Sequence, residues 1–206
     1  MSPYRRVKPL LDRVLAAAGI VVLAPLLTAI ALRVYLDDGG PIIYRHRRVG
    51  HNGVPFDCFK FRTMRAGADR LIEQWRAEGN QLWKEFEASN YKLQHDPRVT
   101  RIGEFLRRSS LDELPQLFNV LGGAMSLVGP RPVTAEEVEL YGQSKCNYLS
   151  VVPGLTGAWQ VSGRSDTSFE FRVRCDDAYC KNVTFVNDLL ILLRTVWVVA
   201  MRRGAY

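Results

Sequence analysis

The sequence predicts an α/β fold dominated by helices. It should contain a small antiparallel hairpin, amphipathic helices lying at a membrane interface, and an N-terminal apolar helix that enters a membrane and returns. Three observations carry this. The chain opens with an uncharged 19-residue run, Val14 to Leu32. A hairpin signal, His51-Asn52-Gly53, lies between two short stretches of strand-forming residues. Most of the chain beyond the hairpin alternates between charged helical stretches and Gly/Pro-rich loops.

The 206 residues suit one domain with appended pieces. Hydrophobic residues make up 47%, enough for a core, which excludes a disordered chain. A mean hydropathy of −0.09 excludes several bilayer spans. Cys58, Cys146, Cys175 and Cys180 show no paired CxxC spacing, which argues against a thiolate metal site or a disulfide scaffold. Lys and Arg exceed Asp and Glu by 28 to 21. The surplus calls for an anionic partner: nucleic acid, anionic lipid or a phosphorylated metabolite.

As a helix the Val14–Leu32 run would span roughly 28 Å, close to the thickness of a bilayer core. Three readings compete: a signal peptide, a spanning helix and a re-entrant helix. The run is long for a signal peptide, and Arg33-Val34-Tyr35-Leu36 is no cleavage site. Pro25 falls mid-run, where it removes a backbone hydrogen bond. Arg5, Arg6, Lys8 and Arg13 precede the run, and Arg33, Arg45, Arg47 and Arg48 follow it. Basic flanks on both sides favour two cytoplasmic ends and hence re-entrance. An ordinary kink in a spanning helix remains the alternative.

Ile42 to Tyr44 and Phe56 to Phe61 read as strands. Ala66 to Lys92 reads as a helical stretch broken near Gly79-Asn80, its charges solvating an outer face. A basic segment, Arg98 to Arg108, leads into Leu111 to Leu121. Thr134 should cap a helix with Glu136 and Glu137 in its first turn. Gly129-Pro130-Arg131-Pro132 and Pro153-Gly154-Leu155-Thr156-Gly157 read as loops. The C-terminal run, Leu189 to Met201, carries Arg194 and Trp197. It fits an interfacial helix or a buried core helix equally.

There is no GxxxxGK[ST] or GxGxxG, and His46, His51 and His95 are too isolated for a ligand set. No zinc-finger, RNP or basic-zipper pattern supports nucleic-acid binding. The most informative stretch is Arg107-Arg108-Ser109-Ser110-Leu111-Asp112-Glu113-Leu114-Pro115-Gln116. Ser110 and Glu113 have capping-box spacing, so Asp112 could simply compensate a helix dipole. Alternatively, a helix N-terminus beside two arginines is an anion site. A carboxylate there could attack phosphorus while its neighbour holds a divalent metal.

At this point the motifs resemble those of the monotopic phosphoglycosyl transferases, the bacterial sugar transferase family. The pieces cover nearly the whole chain: Lys8 and Asp12; Pro25; His46-Arg47-Arg48-Val49-Gly50; Phe59-Lys60-Phe61-Arg62-Thr63-Met64; Asp96-Pro97-Arg98-Val99-Thr100; Ser110 to Gln116; Gly129 to Pro132; and Pro153 to Gly157 continuing to Gln160-Val161-Ser162-Gly163-Arg164. The stretch between Met64 and Asp96 and the ending Arg202-Arg203-Gly204-Ala205-Tyr206 look most like the short hexose-1-phosphate transferases of exopolysaccharide synthesis. Two departures stand out: Lys8 is followed by Pro9 where many members have Lys-Arg, and Ala24-Pro25 replaces Ser-Pro.

The resemblance implies transfer of a hexose-1-phosphate from UDP-galactose or UDP-glucose to undecaprenyl phosphate. Asp112 would be the nucleophile, and Glu113 would hold Mg²⁺ or Mn²⁺. Arg107, Arg131, Arg48 and Lys60 would bind phosphate or nucleotide, and Gln160 and Arg164 would line the uridine or sugar pocket. It further implies a re-entrant anchor (1–36) and a cytoplasmic catalytic domain (37–206) on the inner membrane of a bacterium, in contact with anionic lipids. A homodimer is left open. A non-enzymatic membrane-surface module would explain both ends of the chain, but it would have no need of Asp112-Glu113 beside arginines.

Overall fold

The apolar run becomes the middle of α1 (Pro3–Asp38) in the computed structural model, which describes residues 3–88, 93, 95–163 and 167–201. Among the described residues, α1 is the one helix long and apolar enough to cross a membrane by length and composition. The helix continues through Pro25, where the sequence predicts a break. Proline deletes only the hydrogen bond to Val21, and its neighbours keep theirs. The Thr28 hydroxyl donates to the Ala24 carbonyl (2.9 Å), a back-bond that often accompanies helix bending.

Both halves of α1 pack on the same body. Ala16, before Pro25, is buried with Cys58, Leu117, Val120 and Met125. Leu27, Ile30 and Val34, after it, are buried with Phe61 and Leu106. Near the start of the helix, Tyr4 and Lys8 both bond Asp188 (2.7 and 2.6 Å), and Asp12 accepts from Ser126 (2.6 Å). At its end, Asp38 pairs with Arg62 and accepts from the Ala66 amide (2.8 Å). The rest of α1 leaves Val7, Leu10, Val14, Val21, Val22 and Leu32 more than half exposed.

The predicted hairpin forms from β1 (Ile43–Val49) and β2 (Pro55–Phe61) in antiparallel register, turning through Asn52 and Gly53 at positive φ. Strand β1 runs further than expected, through Arg45 to Arg48. That stretch alternates: Arg45 and Arg47 are exposed while His46 and Arg48 are half-buried. Helices α2 (Ala68–Glu78) and α3 (Gln81–Ala88) are separated at Gly79, as its left-handed cap allows. They pack over Arg98, which is buried between the rings of Trp75 and Phe86 and paired with Asp96 (2.5 Å).

Helix α4 (Arg101–Ser109) is capped by Thr100 and is followed by the short α5 (Gln116–Leu121). Gly129–Pro132 is a loop as expected, but the Pro153–Gly157 segment holds a strand that the sequence did not signal, and it forms a parallel pair: β3 (Ser126–Val128) beside β4 (Gly154–Thr156). Glycine makes this approach feasible, because a Cβ on Gly129 would stand 2.5 Å from the Val152 carbonyl oxygen. Thr134 caps α6 (Ala135–Glu139) in a full capping box with Glu137. Helices α7 (Lys145–Leu149), α8 (Phe169–Lys181) and α9 (Phe185–Ala200) complete the chain.

Of the two readings of α9, the buried core helix does not hold. Its buried residues are Asp188 and Ile191, while Leu193, Val196 and Trp197 are each more than 60% exposed.

Candidate active site

Asp112 and Glu113 do not open a long helix. Helix α4 ends on Ser110, whose φ of 56° is left-handed and costs about 1 kcal/mol for a residue with a Cβ. The chain then makes one 3-10 turn, Leu111–Glu113, before Pro115 leads into α5. The expected capping box is absent. Ser110 makes no side-chain cap, and the Glu113 carboxylate turns instead to two cations.

Those cations come from distant segments. Lys60, on β2, lies 2.8 Å from Glu113 Oε1 and 3.5 Å from Asp112 Oδ2. Arg131, in the loop after β3, reaches the same Glu113 oxygen at 3.1 Å. Strand β2 is pinned to α5 by Asn119, whose Oδ1 accepts from the Phe59 amide (2.9 Å) and whose Nδ2 donates to the Asp57 carbonyl (2.8 Å). Cys58 and Lys60 share one face of β2: Cys58 is buried against Leu117 and Val120, and Lys60 extends to the dyad. The register places His46 opposite Cys58 and Tyr44 opposite Lys60. His46 and Arg48 therefore stand on that same face.

Arg107 donates from Nε to Thr63 Oγ1 (2.9 Å) and lies close enough to Asp112 to act on its ionisation. Arg108 does not join it; it pairs with Glu104 on the exposed side of α4. Arg48 bonds Glu137 Oε2 (2.8 Å) and meets His46 Nδ1 (3.1 Å).

The two carboxyls are electrostatically unlike. Burial pushes Asp112 above its ordinary pKa; the charge of Glu113 adds to this, while Lys60 and Arg107 oppose it. Burial would raise Glu113 too, but Arg131 and Lys60 outweigh it and hold the carboxyl down at about 2. His46 is lowered to about 4, by burial first and then by Arg48 and Lys60, so its ring is neutral at pH 7. Adjacent carboxyls pushed apart in this way are suited to different tasks.

Among the described residues no cluster of three or more His, Cys, Asp or Glu exists to enclose a metal. The dyad nonetheless fits Mg²⁺, which is commonly held by one or two carboxylates together with substrate phosphates. Both cations hydrogen-bond Glu113 through Oε1, and Oε2 accepts no hydrogen bond among the described residues.

The other expected residues lie apart. Gln160 donates to the Leu155 carbonyl (2.9 Å) and borders a cavity of about 400 Å³ with Arg194 and Trp197; no dyad residue lines it. Arg164 and the ending 202–206 fall outside the described residues. Lys8 and Asp12 belong to the Asp188 cluster, with Tyr179 donating to Asp188 Oδ1 (2.8 Å). Pro25 is exposed on α1. Sequence reasoning missed Asn119, Glu137 and Arg172. Only Glu137 left a local signal, its capping-box spacing from Thr134.

Comparison with known proteins agrees with the motif set. The family model described as bacterial sugar transferase matches residues 3–202. The exopolysaccharide production protein ExoY of Rhizobium meliloti (strain 1021) is 45% identical over 195 residues, covering 95% of this chain and 86% of that protein. The undecaprenyl-phosphate galactose phosphotransferase of Salmonella typhimurium is 45% identical over 202 residues, 98% of this chain and 42% of its own length. A UDP-glucose:undecaprenyl-phosphate glucose-1-phosphate transferase of Xanthomonas campestris pv. campestris is 39% identical over 207 residues, 97% of this chain and 40% of that one. With its dyad, its cations and these relatives, the chain belongs to the bacterial sugar transferases, a family of phosphoglycosyl transferases.

Proposed function

We propose that the chain transfers a hexose-1-phosphate, from UDP-galactose or UDP-glucose, to undecaprenyl phosphate in exopolysaccharide synthesis. The observation that carries the chemistry is the buried Asp112 beside Glu113 within reach of Lys60, Arg131 and Arg107. The relatives' names supply the substrates.

In the first step an Asp112 oxygen attacks the β-phosphorus of the UDP-sugar. The bond from that phosphorus to the bridging oxygen breaks, and UMP leaves. A sugar-phosphoryl-aspartate remains. In the second step a phosphate oxygen of undecaprenyl phosphate attacks the same phosphorus, and the Asp112 carboxylate departs. One phosphoanhydride replaces another overall, so little driving force is needed. A carboxylate whose basicity is raised by burial is the stronger nucleophile once ionised, and Lys60 at 3.5 Å favours the ionised form. Lys60, Arg131 and Arg107 stabilise the charge on the transferring phosphoryl group, where most of the catalysis of such reactions lies. Glu113, ionised throughout, is the residue that would hold Mg²⁺ or Mn²⁺, and a bound divalent ion supplies neutralisation of the diphosphate.

The location follows from the apolar faces. The exposed sides of α1 and α9 suit the hydrocarbon and interface of a bilayer, and basic residues flank them for anionic headgroups. Both ends of α1 bond the catalytic body, which supports a re-entrant anchor with the enzyme on the cytoplasmic face of the inner membrane.

The test is UMP release from a panel of UDP-sugars, with undecaprenyl phosphate in detergent. Asp112→Asn is expected to lower release by at least about 10³-fold, and excess chelator to abolish it. Undiminished release by Asp112→Asn would reject the reading.

A further inference from the structure

Arg131 is exposed enough to meet a phosphate, yet nothing in its own loop explains why it points at Glu113. Its carbonyl oxygen does. That oxygen accepts from Tyr148 OH on α7 and from Arg172 NH2 on α8, each at 3.3 Å. Arg172 is only 7% exposed. Its guanidinium stacks 4.8 Å from the Trp159 ring centroid and 5.7 Å from that of Phe169. It does not fully engage the nearest acid: Nε stands 3.7 Å from Asp176 Oδ2, beyond a hydrogen bond, and has no partner among the described residues. Asp176 Oδ2 accepts from Tyr141 OH instead (2.7 Å). In the other direction, Arg172 NH1 is 3.8 Å from Glu137 Oε1, and the second oxygen of Glu137 bonds Arg48.

We propose that Arg172 is the positioning residue of this site, fixing the Arg131 loop through its backbone carbonyl so that the Arg131 guanidinium is held at Glu113. This role rests on the phosphoglycosyl transfer proposed for the site. The geometry favours it over a simple brace of α8. A guanidinium serving α8 alone would close onto Asp176 four residues away in the same helix. Arg172 instead gives up part of that pair to reach the Arg131 loop. A planar guanidinium is needed, because it must stack on Trp159 and direct a terminal nitrogen to the Arg131 carbonyl at once.

The experiment measures steady-state UMP release and UDP-glucose or UDP-galactose binding by calorimetry, on the full chain in detergent. Arg172→Lys keeps the charge but loses the fork. It should raise KM and the dissociation constant for the UDP-sugar about tenfold, with a smaller change in kcat. Because Arg172 acts through Arg131, Arg131→Met with Arg172→Lys should bind no more weakly than Arg131→Met alone. Tyr148→Phe, which removes the other donor to the Arg131 carbonyl, should shift KM in the same direction and serves if Arg172→Lys does not fold. An additive double variant, or a loss that only tracks the fraction folded by thermal melting, would overturn the proposal and leave a structural brace. Impaired binding by Arg131→Met together with unimpaired binding by Arg172→Lys would overturn it alone. Unimpaired binding by Arg131→Met would overturn the reading of the site as well.

Discussion

Asp112 and Glu113 are neighbours in the chain, and what separates their chemistry is which cations reach each of them. Glu113 takes Arg131 and Lys60 on one oxygen and is held at about 2 against an ordinary 4.5. Its folded value is the lower one. Its ionised form therefore contributes stability that is present in full above pH 4.5 and is lost as pH falls toward 2. Glu113→Gln is expected to be less stable at pH 7 by about 1–3 kcal/mol. Its stability should also fall less between pH 5 and pH 2 than that of the parent. Denaturant titrations across that range check this; parallel curves would contradict the electrostatic account. Legibility at this scale followed locality. The dyad, Lys60 and Arg131 each sit in a motif that sequence could flag. Asn119 and Arg172 do not, because their roles are bonds to backbone atoms of segments about 40 to 60 residues away.

Elements were legible where their signals were local. The hairpin turn, the Gly79 break and the Thr134 cap all lie where the sequence indicated. Strand β1 extends through a basic run because alternation, rather than hydrophobicity, governs a strand with one solvated face. Strand β4 reads as a loop because Gly154 permits close backbone contact with the β3 end, and three residues leave no apolar periodicity to detect. Helix α1 shows the opposite limit: Pro25 was visible, but its effect depends on what the neighbouring turns do. The prediction here is topological. A cysteine at position 2 (Ser2→Cys), with Cys146 and Cys175 replaced, should not react with a membrane-impermeant maleimide in intact cells. Cys58 and Cys180 can stay, because burial pushes their thiols up to about 11 and about 12. Adding Pro25→Ala should straighten α1 and expose part of the population. Full labelling without that change would replace the re-entrant anchor with a spanning helix.

Across the whole molecule, buried charged side chains join segments that are distant in the chain. Asp112, Arg98, Arg172, Asp176 and Asp188 are all buried, and Arg98, Arg172 and Asp188 each tie separate segments together. Ion pairs of this kind are costly to bury, so they specify one arrangement more than they stabilise it. Here the arrangement delivers Lys60 and Arg131 to the dyad. Apolar helix faces lie on the same chain for a lipid-linked substrate. A two-step transfer suits such a molecule, since a soluble donor and a lipid-borne acceptor can use one site in turn. The most direct test is intact-protein mass spectrometry after incubation with UDP-galactose or UDP-glucose and magnesium, without acceptor. The account predicts a hexose-phosphate adduct on a peptide containing Asp112. UMP should be released in equal amount, the adduct should be discharged by undecaprenyl phosphate, and it should be absent in Asp112→Asn. UMP release that requires both substrates at once, with no adduct on the chain, would contradict it.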